Sequence, residues 1–247
     1  MSKKEDFIPG IYNYCDRWCE RCSITQHCHL FADLDKAGLF ADEEDEDEDD
    51  TDELFSDNIR ESINFFDEME DESDFSTEDW DDEEEDRKRE NMKETVNNHP
   101  LNKVSKEYGM SVHEWSNNAT IFYENISEGS NVSDSFENKT EAVEKIKDAF
   151  EVIMWYHFLI NVKIQRALLG KLEDEDAPHE FYIDDATGSA HVALIGIGRS
   201  LKAWQTIKNH IPAFEMESIL YTAILEELQE SLLKEFPGCD TFISYFV

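Results

Sequence analysis

The chain has 247 residues and a formal net charge of −37, from 59 acidic and 22 basic residues. That length accommodates one or two domains with a real core. So large an acidic excess argues against binding nucleic-acid backbones, which needs clustered Lys and Arg, and against docking on anionic membrane surfaces.

The N-terminal stretch Met1 to Phe7 carries no apolar segment of the kind that directs export. The longest apolar run, Val152 to Val162, is interrupted by His157 and Asn161 and falls short of the ~20 residues that span a bilayer. A cytoplasmic location is therefore expected, where thiols stay reduced. The Asn-x-Ser/Thr sequons at Asn118, Asn125, Asn131 and Asn138 then read as coincidence in a polar stretch.

The first element is a cysteine run, Tyr12-Asn13-Tyr14-Cys15-Asp16-Arg17-Trp18-Cys19-Glu20-Arg21-Cys22, closed by Cys28. Four of the five cysteines lie within it, at C-x3-C-x2-C-x5-C spacing. Positions 15, 19 and 22 share one face if the run is helical. Three thiolates on one face and a fourth from a short loop make a soft-ligand pocket for Zn²⁺ or an iron–sulfur cluster. Structural zinc sites usually pair two separated knuckles, whereas run-type ligation belongs to ferredoxin clusters. The spacing thus favours [4Fe–4S] over zinc, with Cys15, Cys19, Cys22 and Cys28 as ligands. His27 and His29 are alternate ligands and keep zinc open. Arg17 and Arg21 are candidates to offset thiolate charge, and Tyr12, Tyr14 and Trp18 to shield the site. A disulfide pair would need export. Plain buried cysteines do not suit a run that also holds Asp16, Arg17, Glu20 and Arg21.

Residues 1–40 are expected to form this small Cys-rich module, with Pro9-Gly10 at its entry. Residues 41–90 hold 28 acidic and four basic residues, including an unbroken acidic run from Asp42 to Asp50. Such a segment repels itself and cannot bury enough apolar surface to offset its ordering entropy, so a disordered linker is expected. Leu54, Phe55, Ile59, Ile63, Phe66 and Met69 allow one short helix near 54–69.

Residues 91–247 are expected to be a helical bundle domain. Asn97 to Pro100 signals a helix start, and Gly109 is expected to break the following pattern into two short helices. Residues 125–137 read as a loop. Thr140 to Gly170 carries the strongest stripe, Val143, Ile146, Phe150, Ile153, His157, Ile160, Ile164 and Ala167, with apolar residues on a second side, which places it centrally. Lys171 to Pro178 reads as a polar connection. The next helix begins near Asp185 to Ser189 and ends at His210-Ile211-Pro212. Its Gly196 and Gly198 suggest a close crossing. The last long helix carries Met216, Ile219, Leu220, Ala223, Ile224, Leu228, Leu232 and Phe236 as its stripe and stops at Pro237-Gly238. The fold class is all-α, an antiparallel helical bundle with a Cys-rich module and an acidic linker.

No Glu-x-x-His pair marks a di-iron bundle, and no phosphate-binding glycine motif or nucleophile–base constellation is present. His157 lies on the apolar stripe and reads first as a core residue. Cys239 is isolated.

Cys15, Cys19 and Cys22 match the C-x3-C-x2-C motif of radical S-adenosylmethionine enzymes. Those enzymes continue into a β/α barrel, and this chain shows no strand–helix alternation, so the match is set aside. Cys19-x2-Cys22-x5-Cys28 also resembles part of an auxiliary-cluster motif in the SPASM extension of those enzymes. Tyr12 to Cys22 together with Gly188-Ser189-Ala190 resembles a family of uncharacterised bacterial cytosolic proteins. That resemblance implies shared cysteines and lends no function. The function expected is a cytoplasmic metal- or cluster-binding protein with a protein partner. The alternative is a redox enzyme or electron-transfer protein that pairs a [4Fe–4S] cluster with a bundle pocket near His157. A bare acidic decoy for basic partners is the third reading.

Overall fold

A computed structural model describes residues 7–36, 83–127, 139–174 and 185–242. Most of the acidic segment, the short helix expected near 54–69, and the last residues of the tail lie outside the described residues. Among the described residues the regular elements are all helical: α1 (His29–Lys36), α2 (Glu83–Asn98), α3 (Pro100–Ser127), α4 (Lys139–Asp174), α5 (Asp185–His210) and α6 (Glu215–Glu235). Short 3-10 turns occupy Cys19–Arg21, Thr25–His27 and Pro212–Phe214. No helix of the described residues is long and apolar enough to cross a membrane.

Helices α3 to α6 form a closed four-helix bundle in which every neighbour runs antiparallel. Asn102 of α3 meets Asn161 of α4, while Gly109 further along α3 meets His157 earlier on α4. Gly170 of α4 faces Ala186 of α5, and Gly196 of α5 faces Tyr156 and Ile160 of α4. Trp204 of α5 packs on Tyr221 of α6, and the Tyr221 hydroxyl donates to the Ser111 carbonyl of α3 at 3.0 Å. This is the up-down-up-down arrangement that short connections favour.

The α4 stripe is buried as expected from Ile146 to Ala167. Trp204 and Tyr108 are fully enclosed, and the indole N–H donates to the phenol oxygen at 3.1 Å. Trp115 packs against Phe150, Trp204 and Phe214, joining four elements at one end of the core. Asn161 donates to Asn102 Oδ1 at 2.8 Å and Ser105 Oγ at 2.9 Å, so these three side chains are paired with one another across the α3–α4 interface.

Several expectations need correction. Helix α3 is continuous through Gly109, which lies where α3 crosses α4: a Cβ there would stand 2.8 Å from the His157 carbonyl oxygen. Gly109 is thus a contact point and not a breaker. Pro100 does open α3, and His99 Nδ1 accepts from the Leu101 N–H at 3.3 Å at the entry. Helix α3 runs on to Ser127 and α4 to Asp174, each past the expected boundary. Helix α2 reaches back to Glu83, inside the stretch expected to be disordered, and its Val96 is buried. Docking of α2 on the bundle supplies the apolar burial that the acidic residues lack.

The stripe on α6 is out of phase in its first half. Met216 is 75 % exposed, and Ile219 and Leu220 are also exposed, while Ser218, Tyr221, Leu225, Leu228 and Leu232 face inward. Tyr221 takes the core side because its ring packs on Trp204 and its hydroxyl finds the Ser111 carbonyl. Gly196 is a close crossing point, as expected, but nothing lies within 4 Å of a Cβ built on Gly198.

Gly109→Ala is expected to destabilise the protein by about 1–3 kcal/mol, since the carbonyl it would meet belongs to rigid helix backbone. Chemical denaturation measures this. A gain of about 1 kcal/mol, the helix preference of Ala over Gly, would mean that the crossing can widen freely.

Candidate functional site

The described part of the N-terminal module, residues 7–36, is a string of turns that closes on itself. Gly10, with φ +71°, opens a turn in which the Asn13 N–H donates to its carbonyl at 3.0 Å. Arg17 has φ +61° and reverses the chain between Cys15 and Cys19. The Ile8 N–H donates to the His27 carbonyl at 3.0 Å, which ties the two ends of the cysteine loop together. The run is therefore not the helix expected from its i+4 and i+3 spacing: only Cys19–Arg21 winds, as one 3-10 turn. The left-handed residue at 17 and the clustered turns are what gather the sulfurs.

Cys15, Cys19, Cys22 and Cys28 all line one cavity. Its walls include Ile11, Trp18, Ile24, Leu30 and Phe31, so the thiols sit in apolar surroundings. Cys28 directly precedes α1, and its Sγ accepts from the Phe31 N–H at 3.5 Å, the place of a helix N-cap. The Cys15 thiol donates to the Tyr12 carbonyl at 3.3 Å. Burial pushes the Cys15 thiol up. The Cys19 thiol is pushed up to about 11, first by burial and then by the negative charge of the neighbouring cysteines and Glu20. Both shifts hold the Cys15 and Cys19 thiols protonated at neutral pH.

The fit to a metal is one of donor type and neighbourhood. Among the described residues no three Cys, His, Asp or Glu side chains converge as a metal cage. Neither His27 nor His29 lines the cavity. His29 instead lies 2.8 Å from Asp33 through Nδ1 and packs edge-on against Phe7. Of the two arginines expected to offset charge, Arg17 lines the cavity. Arg21 points to the bundle, reaching Asp148 at 2.6 Å and Glu151, with its guanidinium 4.1 Å above the Trp18 ring. Tyr12 and Trp18 shield the cavity, whereas Tyr14 packs on Phe242 and fills the space above Gly188.

The module is clamped to the α4–α5 seam by residues whose role the sequence analysis missed. Asp16 is 4 % exposed. Its Oδ2 accepts from Arg199 Nη1 at 2.7 Å and from the Tyr156 hydroxyl, and its Oδ1 from the Trp18 N–H at 3.2 Å. Burial, then the Asp16 carboxylate, raises the Tyr156 phenol well above its ordinary range, so it stays a donor. Trp18 stacks on Trp155 at 4.8 Å, and the Trp155 indole donates to the Asp16 carbonyl at 3.1 Å. One signal was readable: Tyr156 and Lys163, seven residues apart on α4 and so on one side of it, are buried beside the main stripe.

His157 is a core residue. It is 3 % exposed, its Nδ1 lies 2.6 Å from the Met154 carbonyl, and its ring lies parallel to that of His113 at 6.0 Å. Its Nε2 is buried without a hydrogen-bond partner. Cys239 is buried too, and its carbonyl lies 2.7 Å from His191 Nδ1. No family model, curated protein or solved structure matches this chain.

Proposed function

We propose that Cys15, Cys19, Cys22 and Cys28 bind a [4Fe–4S] cluster, and that the protein is a cytoplasmic metal-binding interaction or regulatory protein whose helical bundle is the platform for this module. The supporting observation is that the four sulfurs share one apolar-walled cavity although the run is not a helix. Turns that keep four thiols together beside a buried clamp make a small unit that a metal would complete. Zinc suits the same four donors and is the alternative cargo.

The test is anaerobic purification with iron, sulfide and zinc analysis of the wild type and of the variant with all four cysteines changed to Ser. Expected are iron and sulfide in stoichiometric amount with broad visible absorption, all lost in the variant. A colourless wild type with one zinc, lost in the variant, would keep the site and change the metal. Reversible reduction of the cluster would extend the reading to electron transfer. Metal content unaffected by the four substitutions, or no metal in the anaerobic wild type, would refute it.

A further inference from the structure

We propose that the outward face of the first half of α6, with the adjoining edge of α3, is a docking surface for a basic amphipathic helix of a partner protein. This goes beyond the metal reading above and does not rest on the cysteines.

Met216, Ile219, Leu220 and Ala223 stand at i, i+3, i+4 and i+7, so they form one stripe along α6. All four are exposed, Met216 by 75 % and Leu220 by 55 %. The core side of the same helix is taken by Ser218, Tyr221, Leu225 and Leu228, so the bundle does not use the stripe. This spacing is the one by which amphipathic helices dock on each other. The edge of α3 continues the surface. The hydrogen bond from the Tyr221 hydroxyl to the Ser111 carbonyl sets α3 beside this half of α6, and Met110, next to Ser111, is 55 % exposed.

The charge around the stripe indicates what covers it. Between Glu215 and Glu230, α6 carries Glu215, Glu217, Glu226, Glu227 and Glu230 and no lysine or arginine. Glu107 and Glu114 of α3 are exposed and, four before and three after Ser111, share its side. Among the described residues Glu217 has no ion pair, and its Oε2 is enclosed without a hydrogen-bond donor, so no cation of the bundle holds it. A second copy of this chain would bring a further −37 charge and set glutamate against glutamate. The chain's own residues 41–90, with 28 acidic and four basic residues, are repelled for the same reason. A helix of apolar residues flanked by Lys or Arg matches both the stripe and its rim. The plainer account is a scatter of exposed apolar residues with a water on Glu217.

Full-length protein is titrated, by fluorescence anisotropy, with labelled helical peptides of about 18 residues. One is built of Leu and Lys with Leu on a single face, one has Gln in place of Lys, and one scatters the same Leu and Lys around the helix. Expected is binding of the striped Leu/Lys peptide, about ten-fold weaker for the scattered one. Met216→Ser combined with Leu220→Ser should weaken the striped peptide about ten-fold. Glu217→Gln should weaken it about three-fold and leave the Leu/Gln peptide unaffected. Met216 and Leu220 are exposed, so the thermal midpoint of the double variant should hold. Affinity unchanged in that variant, the result of mere attraction of cations to an acidic chain, would overturn the proposal. A wild type that sediments as a dimer, and a double variant that sediments as a monomer, would assign the face to a second copy and overturn it. Peptide binding that tightens about ten-fold when Ile59, Ile63 and Phe66 are changed to Ser would assign the face to the chain's own segment and overturn it too. None of these outcomes bears on the cysteine site, whose metal content is read separately.

Discussion

Arg199→Met is expected to lower the unfolding free energy by about 3 kcal/mol, the lower end of the cost of leaving a buried charge without its partner. Asp16 is 4 % exposed and would keep only the Tyr156 hydroxyl and the Trp18 N–H as donors. Neither donor carries charge, so the carboxylate would be left buried with its charge unopposed. The lower end is expected because the Arg199 side chain is itself 37 % exposed and those two hydrogen bonds remain. The effect should be local. Asp16, Trp18 and Trp155 join the module to the bundle, so hydrogen exchange in residues 7–36 should accelerate more than in α3 or α6. Asp16→Asn combined with Arg199→Met should recover part of the loss, because both charges are then gone. A single-variant loss under about 1 kcal/mol, with unchanged exchange in the module, would show that aromatic stacking alone holds it.

The second large effect is acid sensitivity at His157. Burial, with a smaller contribution from His113, lowers its pKa from 6.5 to about 4. The folded protein keeps the ring neutral while the unfolded chain binds a proton below pH 6.5. The stability present above pH 6.5 is therefore lost progressively as pH falls towards 4, to a total of about 3 kcal/mol. Of the groups around the ring only the Met154 carbonyl favours the added charge, and burial outweighs it. His113 from α3 lies parallel to it, Phe158 packs at 4.1 Å, and the Met154 carbonyl contacts Nδ1. His157→Gln should remove this part of the pH dependence, read as the difference between the two stability curves from pH 7 to 4. Parallel curves over that range would mean that His157 charges freely within the fold.

The helical class, the central place of α4 and the ends of α5 and α6 were legible in the sequence. Long 3.6-residue stripes and the stops at Pro212 and Pro237-Gly238 are local signals, and local signals determine helices. The limits of that reading show at Gly109, where a low helix preference was overridden by the α3–α4 crossing. They show again on α6, where Met216, Ile219 and Leu220 satisfy the period yet Tyr221 takes the core side. Periodicity tells that a helix has an apolar face, but neighbouring helices choose the phase.

The candidate site divides in the same way. The four cysteines and their soft-donor chemistry are contained in the residue order, since thiol type and close spacing require no fold to be recognised. The way they come together is not. Arg17 in a left-handed conformation and the Ile8–His27 closure gather them, where helical spacing led to a different geometry. The clamp joins Asp16 to Tyr156 and Arg199, 140 and 183 positions away along the chain. Such pairings arise only when α4 and α5 pack antiparallel and present one seam, because charge and hydrogen-bond partners far apart in sequence are set by helix register.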